Sequence, residues 1–284
     1  MGRSRDIQIY EVGPRDGLQN VLFETSTSDK VDLITSLHKA GFENMEITSF
    51  VHPKLVPNMS DAEKVFEQTK HLSDFGVLVP NQRGFERAKS VGAKKFNIFF
   101  SPSREFNYRN LGNSNLSEIH WKLQNMLKDV DRENVRAYIS CAFGCPFEGK
   151  PSEHDLKATA EIADELASDI VLCDTIGSCH PSLMRWTLDK VRKVDADIGL
   201  HMHHNSKRTN DIFANIKSAF EFGVTKLDSS IGGLGGCPFI PGSGGNLSTN
   251  ALINWANDNG YETGIELRDL IPATDWVSKF DAIV

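Results

Sequence analysis

Two histidines separated by one residue, His201-Met202-His203, are the sharpest chemical feature of the chain. On a strand, residues i and i+2 point to the same face, so both imidazoles can reach one point. Two imidazoles and a carboxylate form a ligand set for a divalent metal that leaves positions for substrate oxygens. The rival account makes them hydrogen-bonded core histidines, the commoner fate of a lone His. The i, i+2 spacing at a strand end favours ligation, while His204 faces the other way and is read as structural. Asp16, in Arg15-Asp16-Gly17, is the natural carboxylate, although an Asp before Gly equally suits a turn or a helix N-cap. Arg15 beside it can neutralise a developing enolate oxygen, or it can form a salt bridge across the same surface.

A second feature is the stretch Gly232-Gly233-Leu234-Gly235-Gly236-Cys237-Pro238, followed by Gly242-Ser243-Gly244-Gly245-Asn246. It is too glycine-dense for an ordinary loop, and glycines permit positive φ and close backbone approach to a ligand. A cysteine on such a lid suits a proton donor to a carbanion. Cys141, Cys145 and Cys179 are read instead as buried small hydrophobes, their usual role. Cys173 is read the same way, with its neighbour Asp174 a candidate acid or base.

Such groups need rigid elements to position them, and the chain alternates short apolar runs with longer amphipathic stretches. Strands are expected at residues 7–12, 44–48, 75–79, 95–100, 135–140, 170–173, 198–202 and 224–229. Helical patterns lie between them at residues 30–40, 62–71, 117–131, 153–168, 181–193 and 211–222. Val/Ile/Phe-rich runs covered on both faces suit parallel strands, and β-α-β alternation implies right-handed crossovers. Eight such units predict an α/β fold, a TIM (β/α)8 barrel, as a single catalytic domain over residues 1–284. A doubly wound sheet is the rival, but no G-x-G-x-x-G follows the first strand. The tail, with Leu252, Trp255, Ile265, Leu270 and Trp276, predicts a C-terminal helical extension closing one end of the barrel. Barrel catalysis sits at the C-terminal ends of strands. Here Arg15-Asp16, Glu46, Cys173-Asp174-Thr175, His201 with His203, and the loop holding Cys237 and Asn246 occupy five of those ends.

Composition narrows the class further. A net charge of −7 argues against nucleic acid as a partner and gives no reason to expect an anionic membrane surface. No apolar run approaches the roughly 20 residues of a membrane span. The first residues lack a signal peptide's apolar stretch, and Asp6 breaks the myristoylation pattern. Five cysteines, an odd number in a long chain, do not read as a disulfide framework. A cytoplasmic location is expected.

At these residues the chain resembles the 3-hydroxy-3-methylglutaryl-CoA lyase family, among barrel metallolyases related to isopropylmalate synthases and pyruvate carboxyltransferase domains. The likeness runs from Val12-Gly13-Pro14-Arg15-Asp16-Gly17-Leu18-Gln19-Asn20 to the loop after the eighth strand. It includes Glu46-Ile47-Thr48-Ser49-Phe50-Val51, Gly144-Cys145-Pro146-Phe147-Glu148-Gly149, Asp174-Thr175-Ile176-Gly177 and Gly232 through Pro238. The resemblance implies that Asp16, His201, His203 and Asn246 bind Mg²⁺ or Mn²⁺. It also implies that Arg15 stabilises an enolate, that Cys237 protonates it, and that Asp174 and Glu46 support proton transfer. The implied reaction is retro-Claisen cleavage of a 3-hydroxy-3-methylglutaryl-CoA-type thioester to acetyl-CoA and acetoacetate, by a homodimer.

The departures from the family pattern lie outside that core. His204-Asn205-Ser206-Lys207-Arg208 stands where the family has Asp-Thr and then Gly, and Asn250 replaces an acidic residue. Arg104 replaces a Glu, and Val21-Leu22 follows Asn20 where the family has Glu-Lys. These changes keep open a related metal-dependent aldolase or Claisen-type synthase with a different acid substrate. A metal-binding barrel without catalysis is a third reading, against which the intact Arg15, Asp16, Asp174 and Cys237 count. Independently, Lys54, Arg83, Arg104, Arg109, Lys150, Lys207 and Arg208 fall on loops expected at the barrel mouth. They can attract a substrate carboxylate and CoA phosphates, or they are solvated surface charge.

Overall fold

The structure is a computed structural model that describes residues 6–19, 21, 23–205, 211–235 and 243–281. Its strands are β1 (Gln8–Glu11), β2 (Glu46–Ser49), β3 (Gly76–Leu78), β4 (Lys95–Phe100), β5 (Val135–Ile139), β6 (Asp169–Asp174), β7 (Asp197–Asn205), β8 (Lys226–Ser229) and β9 (Ser243–Asn246). The helices are α1 (Thr27–Lys39), α2 (Ala62–Thr69), α3 (Gln82–Ser90), α4 (Arg104–Leu111), α5 (Leu116–Leu127), α6 (Glu153–Leu166), α7 (Pro181–Val191), α8 (Ile212–Phe220), α9 (Thr249–Asp258) and α10 (Ile271–Asp281). Many of the βα connections end in a side-chain cap. Ser26, Asn81, Ser103, Ser152, His180, Asp211 and Ser248 each accept a backbone N–H in the first turn of the helix that follows.

Strands β1 to β8 pair in parallel in the order β1-β8-β7-β6-β5-β4-β3-β2. The ring closes where the Glu11 amide donates to the Asn44 carbonyl at 3.1 Å, beside a parallel bridge from Glu11 to Met45. This is the expected (β/α)8 barrel. Its large apolar cluster lies between strands and helices, joining Ile47, Val77, Ile98, Leu172, Leu200 and Leu227 to Leu33, Ile34, Leu37, Leu156 and Ile216. A small separate cluster joins Tyr138, Val171 and Cys173 with Phe99 packed against it. Buried polar groups, including Glu46, Asn97, Arg136, His201 and Asp228, stand on the same strands.

Three elements fall outside the sequence expectations. In α3 only Gly84, Phe85 and Ala88 are buried, and in α4 only Asn107, so neither helix carries a full apolar stripe. Strand β9 pairs antiparallel with the end of β7, bringing Asn246 opposite His203. The tail carries the expected C-terminal helical extension, α10, and departs from expectation at α9. Trp255 of α9 stacks on Phe213 of α8, with centroids 5.0 Å apart, so α9 is the eighth helix of the outer ring rather than an end closure. After it, the Glu262 carbonyl accepts from the Ile7 amide at 2.7 Å, and α10 packs on α1 and on the turn Ile231–Gly233. Among the described residues, no helix is long and apolar enough to cross a membrane.

Candidate active site

Beyond β1 the backbone winds into a wide turn, Gly13–Gly17, in which the Val12 carbonyl receives the amides of Arg15, Asp16 and Gly17. Pro14 begins this turn, where its missing N–H costs nothing. Glu11, fully buried, anchors it. One carboxylate oxygen accepts from the Gly13 amide at 2.8 Å and the Ile231 amide at 2.9 Å, and the other from the Thr249 hydroxyl at 2.5 Å. Burial, only partly offset by these hydrogen bonds, raises the Glu11 pKa to about 7. One side chain thus ties the turn carrying Arg15 and Asp16 to the loop after β8 and to the start of α9.

Arg15 is buried and paired twice, with Glu46 and with Asp16 at 2.6 Å. Of the two accounts of Arg15, the structure shows the salt bridge, a positive charge fixed by Glu46 and Asp16. Glu46 also accepts from Asn97 at 2.8 Å. The Asp16 carboxylate receives Arg15 and the Gln19 amide on Oδ1 and the Asn246 amide on Oδ2. Burial opposes its charge, but Arg15, His201 and His203 hold its pKa down at about 2.

His201 and His203 lie on the same face of β7, with ring centroids 4.8 Å apart. Nε2 of His201 is 3.9 Å from Oδ2 of Asp16. His201, His203 and Asp16 can each offer a ligand atom within 4.8 Å of the others, the one such group of three among the described residues. The two rings differ electrostatically. Burial, reinforced by the charge of His201, pushes His203 down to about 4. Burial opposes charge on His201 as well, but its hydrogen bond to Asp228 and the charges of Asp16 and Asp228 outweigh it, and its pKa is raised. His204 is exposed, on the other face of the strand.

Asn246 completes the group. Its Nδ2 donates to Asp16 Oδ2 and to the Leu234 carbonyl, each at 2.9 Å. Its Oδ1 is buried and has no hydrogen-bond partner among the described residues. A buried amide oxygen left over beside two imidazoles and a carboxylate fits an oxygen-seeking divalent cation. The glycine-rich loop reaches this place only because it lacks side chains. A Cβ on Gly235 (φ +104°) would lie 2.5 Å from Asn246 Nδ2, and one on Gly245 would lie 2.1 Å from the Gly233 carbonyl oxygen.

Asp174 is buried at the end of β6, and its carboxylate receives the Ser178 amide at 2.7 Å and the Cys179 amide at 3.0 Å. Its backbone carbonyl faces Nδ1 of His203 at 3.2 Å. The Asp174 backbone thus meets one member of the candidate ligand group. Cys237, Leu22, Ser206, Lys207 and Arg208 lie outside the described residues. Lys54, Arg83, Arg104, Arg109 and Lys150 are exposed on βα segments. Of these, Arg109 stacks over Phe147 and Lys150 over Trp186. Asn250 links α9 to α10 through a 3.0 Å bond to Thr274. Cys141, Cys145, Cys173 and Cys179 are buried, as expected. Cys145 is more than a small hydrophobe: its sulfur lies 3.0 Å from the Ser103 hydroxyl, and a hydrogen bond from Cys141 leads the effects that bring its pKa down to about 6.

Glu11, Arg136 and Asp228 were missed in the sequence. The available signal was an ionisable residue inside a strand otherwise apolar, as in Leu227-Asp228-Ser229 and Val135-Arg136-Ala137.

The HMGL-like family model matches residues 6–277. Hydroxymethylglutaryl-CoA lyase YngG of Bacillus subtilis (strain 168) is 35% identical over 283 residues, which cover 97% of this chain and 93% of the relative. The crystal structure of the Bacillus subtilis HMG-CoA lyase aligns with a TM-score of 0.90 at 34% identity, over 99% of this chain and 96% of that one. An HMG-CoA lyase from Acinetobacter baumannii, solved in complex with coenzyme A and 3-methylmalate, aligns at 0.89 with 32% identity, over 99% and 92% of the two chains.

Proposed function

The chain belongs to the HMGL-like family, and from that premise we propose that it cleaves 3-hydroxy-3-methylglutaryl-CoA to acetyl-CoA and acetoacetate. The observation that carries this reading is the group at the barrel mouth: Asp16, His201 and His203 converging beside a buried Asn246 Oδ1 that has no partner among the described residues. In this reading these four residues hold Mg²⁺ or Mn²⁺. The chemistry a bound cation supplies there is Lewis acidity toward a hydroxyl and a carbonyl oxygen.

The chain's own residues do the rest. Arg15, immobilised by Glu46 and Asp16, offers a fixed positive charge to the oxygen that becomes the thioester enolate. The substrate's 3-hydroxyl gives its proton to water at the barrel mouth and becomes the ketone of acetoacetate as the C2–C3 bond breaks. The electron pair of that bond stays on C2, and a proton delivered there by Cys237 gives acetyl-CoA. Glu46 and Asp174 act in support, Glu46 by holding Arg15 and Asp174 by holding the loop after β6 and, through its carbonyl, His203. The exposed cations on the βα segments favour an anionic acyl-CoA.

A coupled assay for acetyl-CoA release, run with Mg²⁺ or Mn²⁺ across a panel of 3-hydroxyacyl-CoA thioesters, tests the reading. Turnover is expected with the 3-hydroxy-3-methylglutaryl compound and should stop on adding a chelator. No release from any member of the panel would overturn the proposal.

A further inference from the structure

His201 and Asp228 are Cα partners in the parallel register of β7 and β8. The Nδ1 of His201 lies 3.1 Å from Oδ2 of Asp228. Its Nε2, at the other side of the ring, faces Asp16. Asp228 is 2% exposed, and a lone carboxylate that deep would be costly. Arg136 answers that cost, reaching Asp228 with Nη2 and Asp169 with Nη1. The guanidinium lies over the Tyr10 ring at 4.1 Å and the Tyr138 ring at 5.5 Å, which fixes its plane inside the barrel. Its Nε has no hydrogen-bond partner among the described residues, so the strength of its hold is concentrated on the two aspartates.

We infer that Asp228, oriented by Arg136, is the positioning residue that fixes the tautomer and tilt of His201, presenting Nε2 to the cation. The inference rests on the reading of Asp16, His201, His203 and Asn246 as a cation site. Its physical basis is that a carboxylate only accepts hydrogen bonds, so the nitrogen facing it carries the hydrogen and the other nitrogen keeps its lone pair. His203 obeys the same rule with a weaker partner, since its Nδ1 faces the Asp174 backbone carbonyl. The two ligand histidines are thus built unequally. The carboxylate-backed His201 is the more basic donor, its Nδ1 facing a charged oxygen of β8, whereas the Nδ1 of His203 faces a neutral backbone carbonyl. Arg136 acts only through Asp228 and touches neither ligand atom.

The test uses the purified full-length protein labelled with ¹⁵N-histidine and saturated with Mg²⁺. His201, assigned by the signal lost in His201→Gln, should show a protonated Nδ1 and an unprotonated Nε2. A proton on Nε2 overturns the inference, and this measurement needs no altered Asp228. Mn²⁺ titrations followed by electron paramagnetic resonance then compare the parent with Asp228→Asn, Asp228→Glu and His203→Ala. Asp228→Asn should weaken Mn²⁺ binding by about 10–100-fold, the usual cost of losing a ligand's outer partner. Asp228→Glu, which restores an acceptor, should recover part of that loss, as a role in bulk packing would not allow. Parent-like affinity in Asp228→Asn, with His203→Ala impaired, overturns this inference and leaves the cation site standing. No Mn²⁺ binding by the parent removes both.

Discussion

Asn246 gives both hydrogens of its amide away, to Asp16 Oδ2 and to the Leu234 carbonyl, and keeps a buried Oδ1 with no partner among the described residues. The amide therefore cannot flip without losing two bonds, and its residue stands opposite His203 in the β7–β9 register. Asn246→Ala removes that oxygen while leaving the carboxylate and both imidazoles. Mn²⁺ affinity should fall at least about 10-fold, with the far-UV circular dichroism unchanged. Undiminished binding in the variant would show that the orphan oxygen is not a ligand.

Gly235→Ala probes the seat of the glycine-rich loop. A side chain there would combine a φ of +104° with a Cβ 2.5 Å from the Asn246 amide. The expected cost is about 1–3 kcal/mol in denaturant unfolding, together with weaker Mn²⁺ binding as Asn246 is displaced. A stability loss without any change in Mn²⁺ affinity would mean that loop and cation site are uncoupled.

Glu11 makes a prediction about pH. Its pKa is raised from 4.5 to about 7, chiefly by burial. The folded protein therefore holds this proton where the unfolded chain has released it. That contribution to stability is fully present below about pH 4.5 and is lost as pH rises to about 7, amounting to about 3 kcal/mol. Glu11→Gln carries no such proton, so its melting temperature should fall less steeply across the window. Equal slopes for the two proteins would show that Glu11 ionises alike in the folded and unfolded states.

Cys237→Ser separates cleavage from mere binding. Serine keeps the size and polarity of the side chain but is a far weaker acid than a thiol of pKa about 8.5. Mn²⁺ affinity and melting temperature should hold, while kcat drops by roughly 10²–10⁴. Parent-like turnover would assign the proton to another group.

The barrel was legible because its strands are continuous apolar runs at βα spacing, and periodicity places such runs well. The convergence of Asp16, His201 and His203 was legible because i, i+2 spacing on β7 and the turn after β1 leave few places for those side chains. Helices α3 and α4 were not, since caps at Asn81 and Ser103 start them and little apolar surface marks them. Glu11, Arg136 and Asp228 were hidden for a related reason. Their roles come from pairing between strands distant in sequence, and one chain read linearly shows only an ionisable residue within an apolar stretch. Asp174 shows the converse, where residue type suggested an acid or base and the fold has given its carboxylate to two backbone amides.

Asp16 and Asn246 are 230 residues apart in sequence, and the bond between them spans the pairing of β1 with β8. A ribosome-bound chain that has emerged through β7 owns both histidines but neither the closed ring nor Asn246. In the proposed reading, cation capture therefore waits until the chain has been made through β9. A cation held there would then be a latch on the seam. Binding the closed barrel but not the open chain, it favours closure by about 2.7 kcal/mol when present at 100 times its dissociation constant. A cell short of that ion would lose more than catalytic rate: its newly made barrels would reopen at the seam more often, exposing β1 and β8 as unpaired edges to proteases and to one another.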